Sequence, residues 1–185
     1  MAAIPERMGR GLMRGLDALL RRCLGVFEFT EEPGCVLRLS WLRCPTERAL
    51  GNGTHLQPGD WLANIHLWNE RLPVMPSDGA DLRWARQTLK GFSHSLRLLH
   101  AFLPTHPIGQ QTRAVFGEIG FATQQDLDTA APLLAHLGFE PDPTESPPGI
   151  GNRFARFWES LYAYLLIWTY NPASLQHKRM RDLRR

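Results

Sequence analysis

The chain of 185 residues is long enough to bury a hydrophobic core in one domain without disulfide bonds. Hydrophobic residues make up 43% of it and charged residues 21%, which excludes a disordered or fibrous protein. The formal net charge of +3 is mildly basic and permits an anionic partner without requiring one.

Residues 1–24 are predicted to form an amphipathic N-terminal helix. Six side chains recur at intervals of three and four residues: Met8, Leu12, Leu16, Leu19, Leu20 and Cys23. Such a helix either packs against its own domain or binds an anionic membrane surface. Packing is favoured, because Glu6 and Asp17 interrupt the cationic side of the helix.

Residues 25–172 are predicted to form the core domain, of the α+β class, with a largely antiparallel sheet of about four strands packed with several helices. Residues 25–32 and 35–43 flank a Pro33-Gly34 turn and are expected to pair as a hairpin. One face of the second strand carries Leu37, Leu39 and Trp41, and the other carries Arg38 and Ser40. Residues 45–60 are rich in turn residues and are expected to be a loop.

A third strand is predicted within residues 59–73 and a long helix over residues 81–103. Ser77 and Asp78 stand where the N-cap of this helix belongs, and Pro104 ends it. The apolar stripe of the helix consists of Leu82, Ala85, Leu89, Phe92, Leu96 and Leu99.

Residues 113–121 are predicted to be a further strand, followed by a helix that ends at Gly138. Residues 139–152 are rich in proline and form the best linker or lid candidate. The apolar run from Leu161 to Trp168 is much shorter than the ~20 residues of a membrane span, so a core helix is expected there. Residues 173–185 form a basic C-terminal tail.

The cysteines Cys23, Cys35 and Cys44 indicate neither a disulfide framework nor a zinc site. If residues 35–43 form one strand, Cys35 and Cys44 lie roughly 30 Å apart, too far for a disulfide. A reducing cytoplasm is the simplest compartment, and the N-terminal segment lacks the apolar run of a secretory signal.

A candidate site is predicted on the strand within residues 59–73. Period-two alternation places Trp61, Ala63, Ile65 and Leu67 on one face, which is expected in the core. The other face carries Leu62, Asn64, His66 and Trp68. An amide, an imidazole and an indole on one face are more typical of a binding cleft than of a solvated sheet.

The candidate ligand-binding residues are Arg38, Asn64, His66, Trp68, Asn69 and Glu118. If Glu118 lies on a neighbouring strand, its carboxylate can orient His66 as a general base, which makes these two the catalytic candidates. Arg38 is expected to contact an anion, and Trp68 is expected to offer a platform for a sugar or an acyl surface. The other interpretation is a histidine held only by structural hydrogen bonds.

Several other chemistries lack a motif in this chain. It contains no nucleophile elbow, Walker loop, dinucleotide fingerprint or His-Glu-x-x-His helix. The remaining histidines share no metal-ligand spacing, so neither a metal nor another cofactor is indicated. Nucleic-acid binding is not expected, because the basic residues lie mainly at the two ends of the chain and no recognition motif is present.

In order along the chain, five segments resemble the YkoP-like domain of bacteria: "QPGDWLANIHLWNERLP", "SLRLLHAFL", "RAVFGEIGF", "LLAHLGFEPDP" and "LYAYLLIWTYNPASL". The resemblance runs from residue 20 to the end and is most specific at Pro58-Gly59-Asp60, Ile65-His66-Leu67 and Asn69. The family pattern has an acidic residue two positions before the histidine, where this chain has Asn64, which weakens any proposal of a catalytic acid there. The resemblance also implies a further short segment after the final "LRR".

This resemblance implies a domain that occurs alone or fused to polysaccharide deacetylase or glycosyltransferase-like modules. It therefore implies a binding or accessory function in the metabolism of cell-envelope glycans or their lipid carriers. The expected partners are a glycan or lipid-linked small molecule, an envelope enzyme and, through the basic terminal helices, an anionic membrane. One alternative is a small enzyme with His66 as general base, oriented by Glu118. Another, based on the residues themselves, is peripheral attachment to an anionic membrane by the basic terminal helices. The expected location is cytoplasmic or peripheral to the membrane.

Overall fold

The computed structural model describes residues 3–79, 81–117, 131–132, 134–140, 164–170 and 172. In chain order, the helices and strands are α1 (Ala3–Cys23), β1 (Leu37–Arg43), β2 (Arg48–Ala49), β3 (His55–Leu56), β4 (Trp61–Leu67), α2 (Leu82–Phe102) and β5 (Thr112–Gly117). Short 3-10 turns follow β4 and α2 at Asn69–Arg71, Leu103–Thr105 and Gly109–Gln111.

The main sheet consists of β1, β4 and β5, in that order. β1 and β4 are antiparallel, whereas β4 and β5 are parallel, so the sheet is mixed. The parallel pair arises because α2 connects β4 to β5 and carries the chain back across the sheet. The α+β class is confirmed in a single domain, with three described strands in the main sheet.

The helix α1 packs against the domain, but not through the predicted apolar stripe. Met13 and Asp17 are 7% and 4% exposed and face inward. Leu12, Leu16 and Leu19 are 76%, 41% and 58% exposed. The inward side also carries Arg21, whose guanidinium lies 3.8 Å from Glu28 and 3.7 Å from Glu70 outside the helix and 3.1 Å from Asp17 within it.

The predicted hairpin of residues 25–32 with 35–43 is wrong for its first strand. Only Phe27 pairs with β1, through two backbone hydrogen bonds of 2.8 and 2.9 Å with Leu39. The pairing stops there because the chain turns toward α2. Phe29 fills the core, and the Val36 amide donates to the Ser95 hydroxyl on α2 at 2.8 Å.

The segment predicted as a loop, residues 45–60, contains the small antiparallel hairpin β2–β3. Gly53 adopts a φ of +83° in the turn, a conformation that favours glycine. The hairpin places Leu56 in a small core cluster with Cys44 and Leu62. These strands were not predicted, because each has only two residues and lies in a segment rich in turn residues.

The helix α2 starts later than was predicted from an N-cap at Ser77 and Asp78. Its N-cap is Asp81, whose carboxylate accepts a hydrogen bond of 2.6 Å from the Trp84 amide. Leu82 is 91% exposed, so the buried stripe begins farther along the helix than expected. The helix ends at Phe102, just before Pro104, as predicted.

The core lies between α2 and one face of the sheet. Its buried residues are Phe29, Cys35, Leu37, Leu39, Ala63, Ile65 and Leu99, with Phe92 and Leu96 of the predicted stripe packed against them. The cysteines at 23, 35 and 44 are free, the first exposed and the other two buried. Because α2 covers one face of the sheet, polar side chains are confined to the other.

Several predictions fall outside the described residues: the strand beyond Gly117, the start of the following helix, most of the proline-rich segment and the basic tail. Gly138 adopts a φ of +83°, as expected of a helix C-terminal stop. Residues 164–170 are helical, which agrees with the predicted apolar helix. No helix in the described ranges is long and apolar enough to cross a membrane.

Candidate functional site

The register of β1 against β4 brings the predicted polar residues together. Arg38 lies opposite His66, and Ser40 lies opposite Asn64. Alternation along each strand places all four side chains on the sheet face away from α2. The sequence predicted which residues share a face on each strand, and the register shows that the two polar sets coincide.

Ser40 is a member of this site that the sequence interpretation left out. Its hydroxyl lies 2.8 Å from Nε2 of His66, and Ser40 is only 6% exposed. Burial lowers the pKa of His66 below its ordinary value, which favours the neutral imidazole. A neutral ring nitrogen can accept the serine proton, so the pair can act as a hydroxyl and a base.

Arg38 is held by carboxylates rather than left open to an anion. Its guanidinium donates to both carboxylate oxygens of Glu70, at 3.0 and 3.2 Å, and to Glu28 at 3.1 Å. Arg38 is 4% exposed, and such a buried cation requires a paired charge. The anion contact predicted for Arg38 is therefore already occupied by two side chains of the protein.

Glu70 is the centre of this charged cluster. Burial acts to raise its pKa, but hydrogen bonds from Arg38 and from its own backbone, with the charges of Arg38 and Arg21, outweigh burial and lower it. Glu70 is thus ionised. Tyr170 makes a long hydrogen bond of 3.5 Å to it, and burial and the Glu70 and Asp17 charges raise the Tyr170 pKa to about 12.

Trp68 follows β4 and is 6% exposed. The guanidinium carbons of Arg38 and Arg71 lie 4.5 and 3.5 Å from the ring centroid, within cation–π distance. The predicted open platform for a sugar is therefore not what the structure presents. Trp68 instead supports the charged cluster, because two cations stack on its ring.

The other predicted residues have separate surroundings. Asn64 has a buried Oδ1 with no hydrogen-bond partner among the described residues. Asn69 begins the 3-10 turn after β4 and lines a cleft. Glu118 lies outside the described residues, so its predicted pairing with His66 stays a prediction.

The cleft that Asn69 lines is open and has a volume of about 580 Å³. Its walls come from α1, the turn after β4 and the helical residues 164–170. The lining residues are Arg14, Arg21, Asn69, Glu70, Leu72, Val74, Thr169 and Tyr170. In the described part of the chain, no group of three or more His, Cys, Asp or Glu residues is placed to hold a metal ion.

A family model described as the YkoP domain matches residues 7–184, nearly the whole chain. The chain belongs to the YkoP domain family. Neither a curated protein nor a solved structure matches it. The family resemblance predicted from the sequence is thereby confirmed.

In this YkoP domain the site has two parts joined by one ion pair. The sheet face carries Ser40, His66 and Arg38, and the cleft carries Glu70 and Asn69. The Arg38–Glu70 pair connects them. The partners that sequence reasoning missed come from turns and from α1, whose positions depend on the path of the chain rather than on a local pattern.

Proposed function

We propose that this YkoP domain is a ligand-binding or accessory module of cell-envelope metabolism, with its ligand held in the cleft at Glu70, which the Arg38–Glu70 ion pair joins to the sheet face of His66. The observation that carries the proposal is the open cleft at Glu70. It brings cationic, anionic, amide and hydroxyl groups into one concave surface, whose volume of about 580 Å³ is within the range of small-molecule sites.

The charges of the cleft favour a neutral, hydroxyl-rich ligand over an anion. Arg21 is within 4 Å of the carboxylates of Asp17, Glu28 and Glu70, so its charge is largely compensated. What remains is a set of fixed donors and acceptors that can bind hydroxyl groups. Leu72 and Val74 add an apolar wall that suits a sugar ring face or a lipid portion.

The family resemblance directs the choice of ligands toward envelope glycans and their lipid carriers. A module of this kind works beside an envelope enzyme, which is the proposed protein partner. The three free thiols support a location in a reducing compartment, and we place the protein in the cytoplasm.

A thermal-shift screen tests this proposal with glycan fragments, nucleotide sugars and lipid head groups. A ligand at a hundred times its dissociation constant should stabilise the fold by about 2.7 kcal/mol. We expect Asn69→Ala and Tyr170→Phe to lose that shift and Gln87→Ala, on the exposed side of α2, to retain it. A shift that persists in both cleft variants, or no shift with any compound, would count against the cleft.

The second candidate function is a small enzyme in which His66 is the general base. The distance of 2.8 Å between the Ser40 hydroxyl and His66 favours it, because a base must lie within hydrogen-bond reach of the proton it takes. A fluorophosphonate probe tests the hydroxyl as a nucleophile. Labelling that is present in the wild type and lost in Ser40→Ala and His66→Gln supports an enzyme, whereas equal labelling in all three chains excludes this role.

A further inference from the structure

The outward side of α1 carries a stripe of three leucines, which we call the leucine stripe: Leu12, Leu16 and Leu19. Their exposed fractions are 76%, 41% and 58%, and Leu24 in the turn after the helix is 67% exposed. The three follow a spacing of four and three residues, so they lie in one row along the helix. Three exposed leucines in one row form an apolar surface larger than scattered single residues give.

The described charge beside the leucine stripe has one sign. Arg22 is exposed and flanks the stripe, whereas Arg14, also exposed, lies on the opposite side of the helix with Arg21 and lines the cleft. The one carboxylate among the described side chains of α1 belongs to Asp17, which is 4% exposed and paired with Arg21. The described part of α1 therefore presents apolar and cationic groups outward and hides its acid.

We infer that the leucine stripe docks on an anionic membrane surface. A helix of this kind inserts its apolar side at the boundary between head groups and acyl chains, and its arginines attract anionic lipids. A second copy of the chain fits less well, because pairing two stripes brings cationic helices together. This inference does not depend on a ligand in the cleft.

Docking by the leucine stripe leaves the cleft accessible. Arg21, which lines the cleft, lies nine residues after Leu12, or about two and a half helical turns, and so projects from the opposite side of α1. The membrane and the cleft ligand would thus occupy opposite sides of one helix. The domain would bind at the membrane surface with the cleft facing away from it.

Vesicle co-sedimentation tests the inference with phosphatidylcholine vesicles and with vesicles that also contain phosphatidylglycerol. We expect binding to the anionic vesicles that weakens near 1 M salt, where the Debye length is about 3 Å. Replacing Leu12, Leu16 and Leu19 by serine should weaken binding more than about tenfold. The matched control is Leu82→Ser on α2, which is 91% exposed and should bind as the wild type does.

A charge variant separates the arginines from the leucines. Arg22→Gln should weaken binding to anionic vesicles about fivefold, since each basic residue near the surface adds about that factor. Arg83→Gln, an exposed arginine on α2, is the matched control and should leave binding unchanged.

Cys23 allows a positional test of which surface meets the membrane. It is exposed and lies four residues after Leu19, whereas Cys35 and Cys44 are 0% and 2% exposed, so a thiol-reactive polarity probe labels it selectively. We expect its emission to shift to the blue on anionic vesicles. The same probe on a Cys23→Ser, Leu82→Cys variant should not shift.

Three results would overturn the inference. The first is no binding to anionic vesicles, and the second is binding that survives the triple serine variant. The third is a dimer in light scattering that the triple variant dissociates while vesicles remain unbound, which would assign the leucine stripe to a second copy of the chain.

Discussion

Arg38 and Glu70 are joined by two hydrogen bonds, of 3.0 and 3.2 Å, although 32 residues separate them in sequence. The pair connects the start of β1, on the sheet face away from α2, to the turn that follows β4. Because Arg38 is 4% exposed, its charge cannot be solvated in place of this contact. The cleft wall and the sheet face are therefore energetically coupled through one side chain.

Glu70→Gln should lower the free energy of unfolding by about 1–3 kcal/mol, because it leaves the buried guanidinium with only Glu28 as a charged partner. Urea denaturation measures this change. Glu31→Gln, which neutralises an exposed carboxylate, should change stability by less than about 0.5 kcal/mol. Equal denaturation midpoints for the two variants would show that the ion pair contributes little.

His66 should make stability depend on pH in a defined window. Burial lowers its pKa in the folded state below the ordinary 6.5, so the unfolded chain takes up a proton more readily. The contribution of His66 to the free energy of unfolding is therefore complete above about pH 6.5, and it is lost as the pH falls toward the lower folded-state pKa. The lowered pKa of Glu70 acts below its ordinary 4.5, outside this window.

Urea midpoints at about pH 7.5 and about pH 5.5 check this dependence. The loss of stability on acidification should be smaller in His66→Gln than in the wild type, because glutamine does not titrate. His55→Gln, at an exposed position on β3, should keep the wild-type loss. An unchanged loss in His66→Gln would contradict the assignment to His66.

Ser95→Ala should lower the free energy of unfolding by about 2 kcal/mol. The Ser95 hydroxyl is fully buried, accepts the Val36 amide at 2.8 Å and donates to the Gly91 carbonyl at 2.7 Å. Its loss leaves a buried amide without an acceptor. Thermal unfolding measures the effect, and Ser93→Ala on the same helix should give a much smaller one.

Gly109→Ala should destabilise the fold by about 3 kcal/mol, because the added methyl group would collide with the Leu103 backbone carbonyl. That backbone belongs to the 3-10 turn after α2 and has little room to move. Gly15→Ala adds the same atom to α1, where nothing lies within 4 Å, and should stabilise by about 0.5–1 kcal/mol. Urea denaturation measures the free energy of unfolding of both variants. Changes of the same sign would contradict the predicted contact at Gly109.

The sequence predicts what depends on local periodicity. Alternation identified β4 and the shared face of Asn64 and His66, and the 3.6-residue repeat identified α2. Both signals are strong because one side of each element is packed in the core. For the same reason, the prediction that Asn64 and His66 lie on the face of β4 away from the core was correct.

What the sequence did not predict depends on the path of the chain. The amphipathic pattern of α1 shows that its two sides differ, but not which one packs, and the contacts of Arg21 with Glu28 and Glu70 lie on the side opposite the exposed leucines. Alternation does not distinguish parallel from antiparallel neighbours, so β5 was expected in an antiparallel sheet. The partners of Arg38 come from turns, where no repeat marks them.

The central place of β4 in the sheet also sets the dynamics of its backbone. From Leu62 to Ile65, β4 is bordered by β1 on one side and β5 on the other. Amides in a strand flanked on both sides exchange with deuterated solvent mainly when the whole fold opens. Exchange at Ala63 and Asn64 will therefore report global stability, while exposed turns such as Asn69–Arg71 report local opening. A cleft ligand that slows amide exchange in the turn Asn69–Arg71 and leaves exchange in the separate hairpin β2–β3 unchanged would locate the binding site without a labelled compound.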